Sequence, residues 1–207
     1  MKNLKILSLL ISFSLISFSS YACKGCGCSA NKSVHSHSKN SIKKDVKTSK
    51  STVKWTGKKF TGSHEGNIEI KDAHLHFENE TLTGGNVVMD MSSIICTDLE
   101  GEQKEQLEGH LKSDDFFGVK KFPTANLEIL STTKLSKNKY KINGVIEIKG
   151  IKKEINFNAD IQNGLAKADI VIDRSEFDVR YGSGSFFDNL GDNVIYDEFN
   201  LSVAIYY

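Results

Sequence analysis

The chain has 207 residues, 26% charged and 39% hydrophobic, with a single proline and a net charge of +1. These values allow one domain or two small ones with an apolar core, and they exclude collagen-like, proline-rich and wholly disordered chains. The balance hides a gradient of +2 over residues 1–22, +6 over 23–50 and −7 over 51–207, so the folding part is acidic and ill suited to nucleic acid.

Lys2 and Lys5 open the chain, an apolar stretch runs from Ile6 to Phe18, and Ser20-Tyr21-Ala22 puts small residues at −3 and −1 of a cleavage site. This predicts a secretory signal peptide over residues 1–22. The apolar stretch is too short for the roughly 20 residues of a spanning helix. No later segment is apolar enough to span, so the expectation is an exported protein of the periplasm or cell envelope without a transmembrane span in the mature chain. Cleavage after Ala22 exposes Cys23. Two alternatives follow: ordinary processing, or acylation of Cys23 as a lipoprotein anchor. Ser20 and Tyr21 fit the second poorly.

Residues 23–50 lack apolar periodicity and are rich in Ser, Lys and Asn, which predicts a disordered tail or linker. Within it lie Cys23, Cys26, Cys28, His35 and His37. Thiolates and imidazoles at such spacing suit Zn(II) or Cu(I). The alternative is an anchored or disulfide-bonded end with a polar spacer, because structural zinc sites usually bring two well-separated ligand pairs. Cys96 is the only cysteine beyond the tail. It either pairs with a tail cysteine or, with no basic neighbour to lower its pKa, reads as buried and inert.

From Ser51 onward the apolar period is two. Ile68 and Ile70, Leu75 and Phe77, and Val87, Met89 and Met91 alternate with mostly polar residues. Tyr140 and Ile142, Ile146 and Ile148, Ile155 and Phe157, Ile170 and Ile172, and Leu201 to Tyr207 follow. Such alternation marks strands with one buried face. Turns are expected at Glu65-Gly66-Asn67, Gly84-Gly85, Asn143-Gly144, Asn163-Gly164 and Gly182-Ser183-Gly184. Residues 99–119 break the pattern. Leu107 and Leu111 are four apart, and Ser113 is placed to cap a second short turn carrying Phe116, Phe117 and Val119. The fold class is therefore all-β: an antiparallel barrel of about eight strands with a short helical insertion near 103–119. An apolar interior of that size suits a long apolar ligand and suits ionic chemistry badly. No nucleophilic elbow, phosphate loop or dinucleotide fingerprint is present, so no enzyme and no catalytic residue is expected.

Several segments resemble the YceI-like family. They are KWTGKKFTGSHEG, GGNVVMDMSSI, LEGHLKSDDFFGVKKFPTANLEI, YKINGVIEIKGIKKEINF, IDRSEFDVRYG and GDNVIYDEFNLSV, in order from about Ser51 to Tyr207. The run from Leu107 to Pro123 is the most specific. The resemblance implies an exported, extended, lipocalin-like barrel over residues 51–207. It implies a binding protein whose tunnel holds a polyisoprenoid, a prenyl quinone precursor or a fatty amide, for transport, storage or stress response. A homodimer is compatible with it, and no cofactor beyond a bound lipid is implied. The sequence departs from the family pattern at Asp178, Val87 and Val145, and the Cys/His tail lies outside it.

The proposed lining is Val87, Met89, Met91, Ile146, Ile148, Ile170 and Ile172, with Phe116, Phe117 and Phe122 as an end wall or as anchors of the insertion. The bland alternative is that these side chains fill a solid core. Arg174 is placed either to donate to a ligand headgroup or to pair with an acid such as Asp90 or Asp115. His74 and His76 share a face that alternation turns to solvent, with His64 one turn before them. His110 is read as an orienting hydrogen-bond donor. The competing functions are a lipid carrier, a metal-handling protein using the tail, a lipid-modifying enzyme and a solid-core structural module.

Overall fold

The computed structural model describes residues 41–207. The tail cysteines and histidines and the leader segment lie outside the described residues. Among the described residues, nine strands and one α-helix make up the architecture. They are β1 (Ile42–Asp45), β2 (Thr52–Lys59), β3 (Gly62–Glu78), β4 (Thr81–Cys96), α1 (Gly101–Lys112), β5 (Thr124–Lys134), β6 (Lys139–Ile148), β7 (Ile151–Gln162), β8 (Leu165–Asp173) and β9 (Ile195–Tyr206). All pairings are antiparallel, and β3 pairs with β4, which closes β2 to β9 into an eight-stranded barrel. β1 is an extra strand on the half of β3 that β2 does not reach. The linker expected to run to residue 50 therefore gives way to ordered structure at Ile42: β1 and a single 3-10 turn at Thr48–Lys50.

One end of the barrel carries α1, the Phe60-Thr61 and Lys149-Gly150 turns and the segment between β8 and β9. The other end carries the Asn79-Glu80 and Asn163-Gly164 turns and the chain terminus Tyr207. Positive φ at both residues of the Lys149-Gly150, Asn79-Glu80 and Asn163-Gly164 pairs gives tight turns whose twist matches the strands.

Three expected turns are strand interior instead. Gly66 lies in β3, Gly84-Gly85 in β4 and Asn143-Gly144 in β6. These glycines mark places where neighbouring strands press together. A Cβ on Gly66 would sit 1.8 Å from the Ile95 carbonyl oxygen, and one on Gly144 would sit 2.5 Å from that of Glu128. Glycine inside a strand commonly records such an approach. Gly66→Ala is expected to destabilise the fold by about 1–3 kcal/mol, read from urea unfolding, because the obstructing atoms are backbone.

β3 changes inward phase along its length. Ile70 and then Ala73, Leu75 and Phe77 are all buried, although Ile70 and Ala73 are three apart. A register shift between Ile70 and Asp72 supplies the extra residue. β4 bulges away from β3 between Asp90 and Ile95, where the Asp90 carboxylate accepts from the Ser92 amide and hydroxyl at 2.9 and 2.6 Å. Those two bonds from Ser92 lower the Asp90 pKa.

α1 buries Leu111 and lies against β4. Glu108 accepts from the Cys96 amide at 2.8 Å and thereby ties the helix to the end of that strand. A second short turn follows Ser113, whose carbonyl accepts from the Phe116 and Gly118 amides, but the Ser113 hydroxyl donates back to the His110 carbonyl at 2.8 Å instead of capping an amide of that turn.

Candidate functional site

The inward faces form two apolar clusters. The far-end cluster includes Val53, Phe77, Leu82, Tyr140, Ile142 and Ile161. The helix-end cluster includes Met91, Ile94, Leu111, Phe116, Ile148 and Ile172. Ile68, Met89, Leu127, Phe157, Ala168, Leu201 and Val203 pack against both yet are only partly buried. Apolar side chains inside a barrel remain partly accessible only where they face space, and these seven surround it.

That space is an internal cavity of about 200 Å³. β9 lines it from Ile195 to Ile205, which at 3.4 Å per residue and a strand tilt of 35–45° is roughly 26 Å along the barrel axis. The cavity is therefore elongated. Its wall is apolar almost throughout. Asn126 and Lys167 lie between inward neighbours, so strand alternation turns their side chains out.

Ten of the eleven residues proposed from the sequence border the cavity: Val87, Met89, Met91, Phe116, Phe117, Ile146, Ile148, Ile170, Ile172 and Arg174. Phe122 does not. Its ring lies over Gly118 and Gly150, 3.4 Å from where a Cβ on either would stand. Phe122 thus pins the turn after α1 to the β6–β7 turn, the anchoring alternative rather than the end wall. The lining also takes in Trp55, Leu111, Ala168 and Phe199, which sequence reasoning did not select. Trp55 follows Val53 by two on β2, so the alternation was visible. The small alanines carried no comparable signal.

Arg174 takes the structural alternative, with partners other than those expected. It opens a 3-10 turn (Arg174–Phe177) after β8 and is 2% exposed. Neither Asp90 nor Asp115 pairs with it. Nε donates to the Tyr196 carbonyl at 3.2 Å, Nη1 to the carbonyls of Val179 and Tyr181 at 2.9 Å each, and Nη2 to that of Ile195 at 2.9 Å. Nη2 also lies 3.3 Å from Asp197 Oδ1. Burial pushes the Arg174 pKa down, opposed by Asp197 and Asp173. Four of the five guanidinium N–H groups are given to carbonyls, and the Asp197 carboxylate beside Nη2 balances the charge without accepting a hydrogen bond at its buried Oδ1, so the group is committed to the protein rather than to a ligand headgroup. It stitches the segment between β8 and β9 across the barrel end.

The histidines divide. His74 and His76 sit on the outer face of β3 beside β1, their rings 5.0 Å apart edge to face. His110 was read as a hydrogen-bond donor. Its Nε2 is buried without a partner, and its ring packs between Phe116 and Tyr181 at 5.6 and 4.3 Å. His64 Nδ1 is 2.9 Å from Asp98 Oδ2. Among the described residues no three His, Cys, Asp or Glu side chains gather to hold a metal ion. Cys23, Cys26, Cys28, His35 and His37 lie outside the described residues.

Cys96 is fully buried, and its thiol donates to Asp98 Oδ1 at 3.0 Å. Burial, and then that hydrogen bond, push the thiol pKa up, so it is a poor nucleophile. Burial would raise the Asp98 carboxyl too. The Glu65 amide, the Cys96 thiol and His64 outweigh it and hold Asp98 at about 2. A carboxylate depressed in the folded state contributes stability above its unfolded pKa, here 3.8, and loses it as pH falls through 2. The contribution is at most about 2 kcal/mol. Asp98→Asn should therefore flatten the stability profile between pH 4 and pH 2, measured by urea midpoints across that range. An unchanged acid slope would contradict the assignment.

Comparisons with known proteins agree with this geometry. The YceI-like domain matches residues 45–207. No curated protein matches the chain. Among solved structures, BcnA of Burkholderia cenocepacia is 23% identical with a TM-score of 0.61, covering 78% of this chain and 98% of the other. A polyisoprenoid binding domain from Saccharophagus degradans, implicated in plant cell wall breakdown, is 12% identical with a TM-score of 0.57, covering 79% and 96%. A YceI protein of Campylobacter jejuni is 21% identical with a TM-score of 0.52, covering 66% and 81%. At these identities the likeness is one of fold.

Proposed function

The chain belongs to the YceI-like family, and on that premise we propose that it is a lipid-binding protein whose barrel holds a long apolar chain, of polyisoprenoid or comparable hydrocarbon character. One observation carries the reading: a roughly 26 Å apolar cavity whose charged wall residue, Arg174, gives four of its five N–H donors to backbone carbonyls of the protein itself. Such a wall offers dispersion contacts and exclusion of water along the chain and offers almost nothing to a polar group. Affinity should then grow with the hydrocarbon length that fits. The polyisoprenoid binding domain of Saccharophagus degradans shares the fold, which supports the ligand class.

Nothing in the wall resembles a catalytic pair. The proposal is accordingly binding for transport, storage or protection, and export under the leader over residues 1–22 belongs to it.

The test is a competition series. The protein is loaded with an apolar fluorescent probe, and neutral prenyl alcohols and acyl amides of increasing length are titrated against it. Displacement that strengthens with chain length and then levels off is expected. A protein that takes up no probe, or that prefers short charged ligands, would refute the reading.

A further inference from the structure

The two ends of the barrel show different surfaces to solvent. Of six exposed aromatic side chains among the described residues, five lie at the helix end: Phe60, Tyr181, Phe186, Phe187 and Tyr196. Only Tyr206 lies at the other. The backbone gathers these five. The Phe60 amide donates to the Val194 carbonyl at 3.0 Å, and the Ile195 amide donates to that of Gly182 at 2.8 Å. Tyr181 rests on His110 of α1, and the Arg180 guanidinium lies 5.0 Å from the Phe186 ring centroid. Clustered aromatic exposure of this kind marks an interaction surface.

The cavity also comes nearest to solvent here. Ile195 belongs to the cavity wall and to an open surface cleft with Lys59, Thr61, Phe187 and Leu190. Tyr196 borders the cavity while 48% exposed. At the far end Phe77, Leu82 and Tyr140 are 2–3% exposed and seal the barrel.

We infer that this end docks on a lipid bilayer and that the apolar chain is exchanged there, between the cavity and the membrane, past Ile195 and Tyr196. The inference rests on the lipid-binding reading. Charge and side-chain chemistry select a bilayer as the occupant. Phe60 follows Lys58 and Lys59, both exposed and outside the ion pairs of the described residues. Phenylalanine rings reach the acyl boundary while lysine stems carry their ammonium groups to lipid phosphates, and tyrosines sit between the two. Asp188 and Asp192, on the segment between β8 and β9, offset Lys58 and Lys59, and around the cleft Lys59, Lys149 and Arg180 face Asp114, Asp115, Asp178 and Asp192, so the charge of this end is near zero. Ring insertion therefore dominates and salt weakens docking only modestly. A chain passing directly from bilayer to barrel crosses no water, which is the main barrier to moving a long hydrocarbon.

The test floats the purified full chain with vesicles of phosphatidylethanolamine and phosphatidylglycerol. Phe60→Ser combined with Phe187→Ser should lower the bound fraction at least tenfold and slow release of bound lipid to vesicles by a similar factor. Ile42→Ser combined with Leu135→Ser, exposed positions at the other end, should stay within twofold of the parent. Both pairs lie on the surface and should keep the parent's capacity for lipid. Failure of the parent to float, an unchanged helix-end pair, or an equal loss in the far-end pair would overturn the inference. So would self-association of the parent abolished by Phe60→Ser with Phe187→Ser, which would give the face to a second copy of the chain. A chain that carries lipid but floats independently of these residues sinks only the docking. A chain that floats through them but never carries lipid keeps the docking and sinks the lipid-binding reading.

Discussion

Arg174→Met is expected to lower folding stability by about 3–5 kcal/mol, a fall of roughly 10 °C in Tm. The substitution keeps much of the buried stem and removes the donors. Four backbone carbonyls, from Val179, Tyr181, Ile195 and Tyr196, would then lose a buried partner, and Asp197 would lose its counter-charge. Each orphaned acceptor costs about 1–3 kcal/mol if water cannot reach it, and local rearrangement recovers part of the sum. Arg174→Lys should recover little, because an ammonium group cannot fork over four carbonyls spread around a planar guanidinium. Urea denaturation measures the loss. Unaltered stability with abolished lipid binding would return Arg174 to the role of headgroup donor.

Ala168→Trp is expected to reduce bound lipid at least tenfold while leaving the barrel folded. Ala168 lies midway along β8, faces the cavity and packs against both apolar clusters. A large side chain there fills space that is open, so the overpacking cost of a solid core, about 1–3 kcal/mol, should be largely avoided. The chain that the cavity holds would be interrupted at its midpoint. Ala204→Trp, next on β9 to Val203, the partner of Ala168, and with its side chain on the opposite face, should leave occupancy unchanged. Lipid per protein after solvent extraction gives the comparison. If Ala168→Trp instead unfolded the protein while Ala204→Trp did not, the middle of the barrel would be solid core and the binding reading would fall.

Much of the barrel was legible because burial on one face imposes a period of two that survives in the sequence. Val87, Met89 and Met91, or Ile170 and Ile172, could be assigned inward without coordinates. The glycines misled for a physical reason. Gly66, Gly85 and Gly144 look like turn residues, but they lie where strands cross too closely for a Cβ, and only the neighbouring backbone reveals that. β1 was missed because four exposed residues, Ile42 to Asp45, carry no burial pattern at all. At the site the apolar lining was readable and the polar part was not. Arg174 is held by carbonyls, which every residue possesses, so no sequence feature could name its partners. Phe122 anchors rather than lines, because half of its seat is made by Gly150, which is distant in sequence and joins the nearby Gly118 only in the fold.

The central claim is that the barrel holds a long hydrocarbon. It is tested most directly by native mass spectrometry of the protein isolated gently from the cells that make it, followed by identification of whatever it releases. The account predicts one apolar chain per barrel, neutral or with its polar group small, absent from Ala168→Trp. A barrel that is empty in every preparation and takes up no hydrocarbon when offered one would contradict it.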